Sequence, residues 1–195
     1  MAFLRSVNPI DLGPKIYGRN VMLRVPQTSD YQAWAALREE SRAFLTPWEP
    51  TWPRDDLTRT AFRRRIKRYL QDIRDDRAYP FLIFAGNERI LIGGLTLSNV
   101  RRGVAMTCSV GYWIGERYAR KGYMTDALSA VVQFCFDELA LHRIEAACLP
   151  HNKASIALLK RCGFQEEGYA RGYLKINGTW QDHLLFAILA DDHAP

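Results

Sequence analysis

The chain has 195 residues, 48% of them apolar, and a formal net charge of +6. That length and apolar content suit one domain with a full core and exclude an intrinsically disordered chain. The moderate positive charge fits an anionic cofactor, an acidic or ribonucleoprotein partner, or solubility alone.

Residues 1–18 read as a loose arm, because Pro9, Gly13 and Pro14 break any pattern. Residues 20–25 alternate Val21, Leu23 and Val25 against Met22 and Arg24, which predicts a first strand ended by Pro26. Thr28-Ser29-Asp30 is a helix start signal, and a helix over 31–42 puts Trp34 and Leu37 on one face. Three prolines and two tryptophans then fall within residues 47–53. Such a stretch is a stiff aromatic loop, either pinned by core tryptophans or forming one wall of a substrate cleft. In the second case Glu49 is placed to meet a cation.

A longer helix is expected over 55–76, with Leu57, Phe62, Ile66, Tyr69, Leu70 and Ile73 at helical spacing. Its other face is basic, and Arg63-Arg64-Arg65 is the chain's main pointer to nucleic acid. Asp72, Asp75 and Asp76 dilute that face, which favours a solvated surface. An antiparallel meander follows: strands over 79–85, 89–98 and 104–114, with turns at Gly86-Asn87 and over 99–103.

Ala119-Arg120-Lys121-Gly122-Tyr123-Met124-Thr125 comes next, between that strand and an amphipathic helix over 124–139. Strand, short basic glycine turn and helix is how a chain presents backbone N–H groups to an anion. The first four N–H groups of a helix have no internal partner, and the aligned peptide dipoles place partial positive charge there. Gly122 lets backbone approach a phosphate, and Arg120 and Lys121 add mobile charge. A solvated strand-to-helix turn fits the same residues. The pattern is neither a P-loop nor a dinucleotide fingerprint.

A strand over 142–149 stops at Pro150, and Asn152 opens a helix that closes at Gly163. Two strands, 165–176 and 179–189, are joined at Asn177-Gly178, a strong hairpin signal. In all, about seven strands and about four helices are expected, in one α+β domain spanning 1–195. Cys108, Cys135, Cys148 and Cys162 form no C-x-x-C pair and read as buried free thiols. The His residues lack ligand spacing, so no metal is expected. No window approaches 18 uninterrupted apolar residues and residues 1–20 hold no secretory pattern, so a cytoplasmic protein without a membrane span is expected.

The basic glycine loop, together with His151-Asn152-Lys153-Ala154-Ser155 and Gly163-Phe164, resembles the acetyl-CoA-binding core of the GNAT acetyltransferases. Pro47-Trp48-Glu49-Pro50, Pro150-His151-Asn152-Lys153 and the segment from Glu167 to His183 are similar to the RimJ branch, the ribosomal-protein alanine N-acetyltransferases. The likeness runs from about Tyr17 to Leu189. In the loop only Gly122 matches the family pattern; Ala119 and Met124 depart from it.

The resemblance implies acetyl transfer from acetyl-CoA to an amine, on a mixed sheet whose strands splay at the cofactor. Tyr112, Trp113 and Ile114 would bond the pantetheine. Arg120, Lys121, Gly122, Tyr123, Met124 and Thr125 would hold the pyrophosphate, and Asn152 and Ser155 would also contact the cofactor. Many members place a tyrosine donor seven residues after the asparagine; here that position is Leu159, and Ser155 is the expected substitute. Ser155 also fits a helix-start residue bonding its own backbone. For the base, Glu145 and Asp182 are candidates beside a water chain, and Glu49 is expected to hold the acceptor's ammonium rather than deprotonate it. The Trp48–Trp52 loop and the Asn177–Gly178 turn are expected to form opposite walls of an open cleft. The expected acceptor is the N-terminal α-amine of a ribosomal protein beginning with alanine. A small amine acceptor, and a ribosome- or RNA-binding module without turnover, are the alternatives. A monomer and a homodimer fit equally.

Overall fold

The computed structural model describes residues 13–86 and 90–193. Eight strands form one sheet: β1 (Lys15–Tyr17), β2 (Val21–Arg24), β3 (Tyr79–Ala85), β4 (Ile90–Arg101), β5 (Thr107–Ile114), β6 (Arg143–Cys148), β7 (Gln165–Ile176) and β8 (Thr179–Leu189). Their order is β1-β2-β3-β4-β5-β6-β8-β7. Every pairing is antiparallel except β5 with β6. Five helices accompany the sheet: α1 (Tyr31–Glu40), α2 (Arg42–Leu45), α3 (Arg59–Arg74), α4 (Tyr123–Asp137) and α5 (Lys153–Arg161).

The helices cover both faces. Met124, Ala127, Leu128, Val131 and Cys135 of α4, with Leu159 of α5, pack on Leu23, Ile83, Leu95, Cys108 and Ile144. Trp34 and Leu37 of α1, with Phe62 and Ile66 of α3, pack on Met22, Leu82, Phe84 and Leu91. Adjacent strand residues therefore enter opposite cores. This is why β3 is an apolar run buried at every position after Tyr79 instead of an alternating pattern.

Several boundaries differ from the sequence expectation. The expected arm contributes β1, which pairs Lys15 with Arg24; residues 1–12 lie outside the described residues. Three residues are too few for alternation to register. The first helix stops at Glu40, where the Ser41 backbone leaves helical geometry (φ −96°, ψ 9°); the Ser41 hydroxyl accepts from Glu116 N at 3.0 Å. Helix α3 starts at Arg59, not at Asp55: Thr58 caps it, accepting from Ala61 N at 3.2 Å. Asp55 and Asp56 instead pair with Arg64 (2.5 Å) and Arg65 (2.6 Å). Arg65 also stacks on Trp34 at 4.7 Å, so two of the three consecutive arginines are already engaged. The strand expected from 104 begins at Thr107, after Met106 at φ +40°. The turn expected over 99–103 is entered late, since β4 runs on to Arg101 with a register break.

The hairpin prediction meets an observed two-residue turn, with Asn177 at φ +44° and Gly178 at φ +84°, as a type I′ turn requires. The Gly86-Asn87 turn lies partly outside the described residues; Gly86 is at φ +62°. No helix among the described residues is long and apolar enough to cross a membrane.

Candidate active site

The two parallel strands at the centre of the sheet part company. β5 and β6 pair only at Thr107 with Arg143, Cys108 with Ile144 and Ser109 with Glu145. Beyond Ser109, β5 keeps only β4, through Leu95 with Tyr112, Gly94 with Trp113 and Gly93 with Ile114. Beyond Glu145, β6 keeps only β8, through Cys148 with Leu184. The wedge between them exposes strand edges whose backbone groups need partners. That is the geometry required to lay an extended amide-containing ligand along Tyr112–Ile114.

The pleat divides these residues. Cys108 and Val110 point into the α4–α5 core, and Tyr112 and Ile114 pack against it. Trp113 points the other way, into the α1–α3 core. Across the wedge on the α5 side, the Tyr112 hydroxyl lies 2.7 Å from Ser155 Oγ. Burial pushes the Tyr112 phenol well above its ordinary value, partly offset by the Ser155 hydrogen bond. Asn152 caps α5, its Oδ1 accepting from Ser155 N at 3.1 Å. Ser155 is therefore fixed through its backbone by Asn152 and through its oxygen by Tyr112. Cys148 also borders the Ser155 hydroxyl, and burial raises its thiol. Leu159 is fully buried in the core and offers nothing to the wedge.

The basic turn leads into α4 on the same side of the sheet. Gly122 is the N-cap at φ +82°, and no side chain caps this helix. A Cβ built at Gly122 would meet nothing within 4 Å, so space lies directly in front of the helix end. Arg120 (φ +61°) and Lys121 are exposed. Free N–H groups, a helix dipole, two cations and room form a fitting cradle for a pyrophosphate. Met124, whose place in the family loop departs from the pattern, has its side chain in the core, so only its backbone faces the cradle. Tyr123 packs against the same core, and Thr125 O accepts from the Cys162 thiol at 3.8 Å. Asp126, in the first turn, binds the β1–β2 turn instead, accepting from Arg19 N at 2.8 Å and Asn20 N at 2.5 Å.

The structure does not bring the three candidate carboxylates to the Tyr112–Ser155 pair. Glu49 is held by Arg38 through two 2.7 Å bonds and accepts from Trp52 Nε1, also at 2.7 Å. Its charge is already neutralised, so an acceptor ammonium would have to compete with a bidentate guanidinium. Glu145 sits at the closed end of the wedge beside Ser109, on the opposite face from Tyr112, and is paired with Arg143 at 3.0 Å. Asp182 lies in the β7–β8 hairpin, accepting from Tyr169 at 2.5 Å and Gly172 N at 2.7 Å. The Tyr169 hydroxyl, then the Gly172 N–H, hold its carboxyl below the usual range.

The expected open cleft is also closed where its walls were placed. Asn177 N donates to the Glu49 carbonyl at 2.9 Å, so the hairpin turn rests on the tryptophan loop. Trp48 stacks on His151 at 5.5 Å, tying that loop to the start of α5.

Arg38 organises this second side and was not singled out in the sequence. It is 8% exposed and lies over Trp52 at 4.0 Å and Trp113 at 4.9 Å. Its Nε is buried without a hydrogen-bond partner, which cation–π contact with the two rings offsets. Arginine on a helix with mixed charge gives no sequence signal of burial. The Tyr112 side chain was missed for a related reason: its strand was read only as backbone.

Comparison with known proteins agrees with this geometry. Residues 20–165 match the family model described as acetyltransferase (GNAT) domain. The [ribosomal protein uS5]-alanine N-acetyltransferase of Escherichia coli (strain K12) is 37% identical over 184 residues, covering 93% of this chain and 95% of that protein. The Mycobacterium smegmatis RimJ structure in complex with CoA-disulfide superposes with a TM-score of 0.86 at 34% identity, covering 94% of this chain and 88% of that one. The Vibrio fischeri ribosomal-protein-S5-alanine acetyltransferase gives a TM-score of 0.85 at 31% identity, over 94% and 100% of the two chains. With the wedge, the uncapped basic helix end and the Asn152–Ser155 helix in place, the chain belongs to the GNAT family of acetyl-CoA-dependent N-acetyltransferases.

Proposed function

We propose that this enzyme acetylates the N-terminal α-amine of a protein, with a ribosomal protein beginning with alanine as the acceptor class. The observation that carries this reading is the wedge with Ser155 at its edge and no unengaged carboxylate among the three candidates. The α4 end and its loop hold the pyrophosphate of acetyl-CoA. The Tyr112–Ile114 edge holds the pantetheine, and a strand N–H near Ile114 receives the developing oxyanion. The amine nitrogen bonds to the thioester carbon, the carbon–sulfur bond breaks, and the Ser155 hydroxyl stabilises the departing thiolate.

A site without a strong free base favours an acceptor that is already partly neutral. An α-amine has a reference pKa of about 7.7–8.0, so roughly a tenth is neutral at pH 7; for lysine, at about 10.4, the fraction is under about a thousandth. Water suffices to remove the remaining proton. The names of the relatives, which act on ribosomal-protein alanine, point to the same acceptor.

The test is transfer to synthetic peptides beginning with alanine, read by mass spectrometry of the modified position. Acetylation at the α-amine, with internal lysines untouched, is the expected result. Equal modification of lysines, or fast transfer to small amines with none to such peptides, overturns it. Comparing intact masses of ribosomal proteins with and without the gene then identifies the acceptor.

A further inference from the structure

The hydroxyl pair at the wedge gives Tyr112 a task beyond its strand. Two hydroxyl oxygens 2.7 Å apart share one hydrogen, so one of them must donate. A phenol, with a reference pKa of about 10, is the stronger acid and therefore the better donor than an aliphatic hydroxyl. Tyr112 then donates and Ser155 Oγ accepts. That bond anchors the serine oxygen and leaves the serine's own hydrogen to point elsewhere. The Ser155 backbone is already fixed by Asn152, so the rotation of one hydroxyl is the freedom that remains.

We propose that Tyr112 is a positioning residue for acetyl transfer: its hydroxyl holds Ser155 Oγ so that the serine hydrogen points to the sulfur leaving the acetyl group. This rests on Ser155 meeting that sulfur, as read above. The two hydroxyls come from elements on either side of the wedge, a strand and a helix. The acetyl thioester has to lie between those elements. Leu159, being fully buried, cannot take over the task.

No proton leaves Tyr112 in this scheme. The carbon–sulfur electron pair goes to sulfur, the serine hydrogen bonds to it, and the thiolate takes its proton from water on release. The titratable groups bearing on Tyr112 are Cys148 of β6 and Cys162 at the end of α5, and both act to keep the phenol protonated. Burial acts in the same direction and is the larger cause. The donor is therefore present throughout the neutral range, and its contribution does not titrate there.

The experiment compares the wild type with Y112F, S155A and the double variant. Thiol release from acetyl-CoA is followed with an alanine-first peptide and, separately, with water as the acceptor. A failure of the peptide reading then leaves the comparison intact. Y112F should lower kcat on the order of tenfold, the worth of one oriented hydrogen bond, with acetyl-CoA affinity by calorimetry unchanged. In the S155A background, adding Y112F should change nothing further. The ratio of wild type to Y112F should stay flat below about pH 9. Full turnover in Y112F while S155A is impaired overturns the role of Tyr112 alone. So does an equal loss from Y112F in both backgrounds, which would make its effect independent of Ser155. Full turnover in S155A overturns the serine reading as well.

Discussion

The two sides of the wedge are built on opposite principles. On the α4–α5 side no ion pair closes the site: a serine hydroxyl and a phenol share one hydrogen bond, and the α4 end, with Arg120 and Lys121 exposed beside it, is capped by no side chain. On the α1–α3 side the polar groups are charged and committed to one another. Arg38, Glu49, Trp52 and the Asn177 backbone form a closed set against Trp113. The difference separates chemistry from scaffolding. Catalysis needs donors whose partner arrives with the substrate, whereas a buried ion pair is stable only when it is complete before the substrate arrives.

The largest test of that contrast is removal of the serine hydroxyl. Ser155→Ala should lower turnover on the order of 10²–10³-fold, the worth of one donor to developing negative charge, measured where chemistry limits the rate, with the melting temperature close to that of the wild type. On the committed side the opposite pattern is expected. Arg38→Gln leaves Glu49 largely buried and unpaired, which costs about 3–5 kcal/mol and lowers the melting temperature by roughly 10 °C or more. At temperatures where the variant is folded, calorimetry should still find acetyl-CoA bound with near-normal affinity. A variant that stays stable but binds the cofactor poorly would erase the distinction between the two sides.

Gly122→Val probes the available side without touching a hydroxyl. The position needs φ +82°, which a β-branched residue adopts only under strain, and its Cβ would enter the space in front of the helix. Acetyl-CoA affinity should fall at least about tenfold, more than the fold is destabilised. Wild type should gain roughly 2.7 kcal/mol at one hundred times the dissociation constant, a shift that Gly122→Val cuts to about half or less at the same ligand concentration. Normal binding by this variant would mean that the phosphates sit elsewhere.

The smallest effect is alkaline. Burial raises the Tyr112 phenol, and burial with the Asp76 bond raises Tyr79 to about 12. A raised folded pKa means stability that is fully present below the unfolded value, about 10, and is lost as pH rises through the folded value. Denaturant midpoints should therefore fall from about pH 10 upward. Y112F should fall less steeply than wild type, because one of these raised phenols has been removed.

Legibility in the sequence follows the same division. The meander, the glycine loop, the capped Asn152 helix and the hairpin are local features, and each has a local cause that a window of residues carries. Strand Tyr79–Ala85 and both hairpin strands are observed at the residues expected. What could not be read is long-range neutralisation. Glu49 looked like a free carboxylate beside two tryptophans until Arg38, eleven residues earlier, was seen folded onto it. The same holds for Ser155 of α5, whose oxygen partner is 43 residues away on strand β5. β1 was hidden for a simpler reason, being three residues long and held by long-range contacts, its pairing with β2 and the burial of Ile16 in the α4–α5 core.

Strand β7 closes the sheet on one side, twelve residues long and exposed at nearly every position. A straight edge of that length is a template on which another extended chain can dock and propagate into aggregates. β7 is not straight: its register with β8 breaks between Glu166 and Gly168 and again between Ala170 and Leu174. No uninterrupted row of donors and acceptors longer than a few residues faces outward, and Glu166, Glu167, Arg171 and Lys175 place charge along what remains. Its irregularity thus works against edge-to-edge docking on a hairpin that carries four large exposed apolar side chains, Tyr169, Tyr173, Leu174 and Trp180.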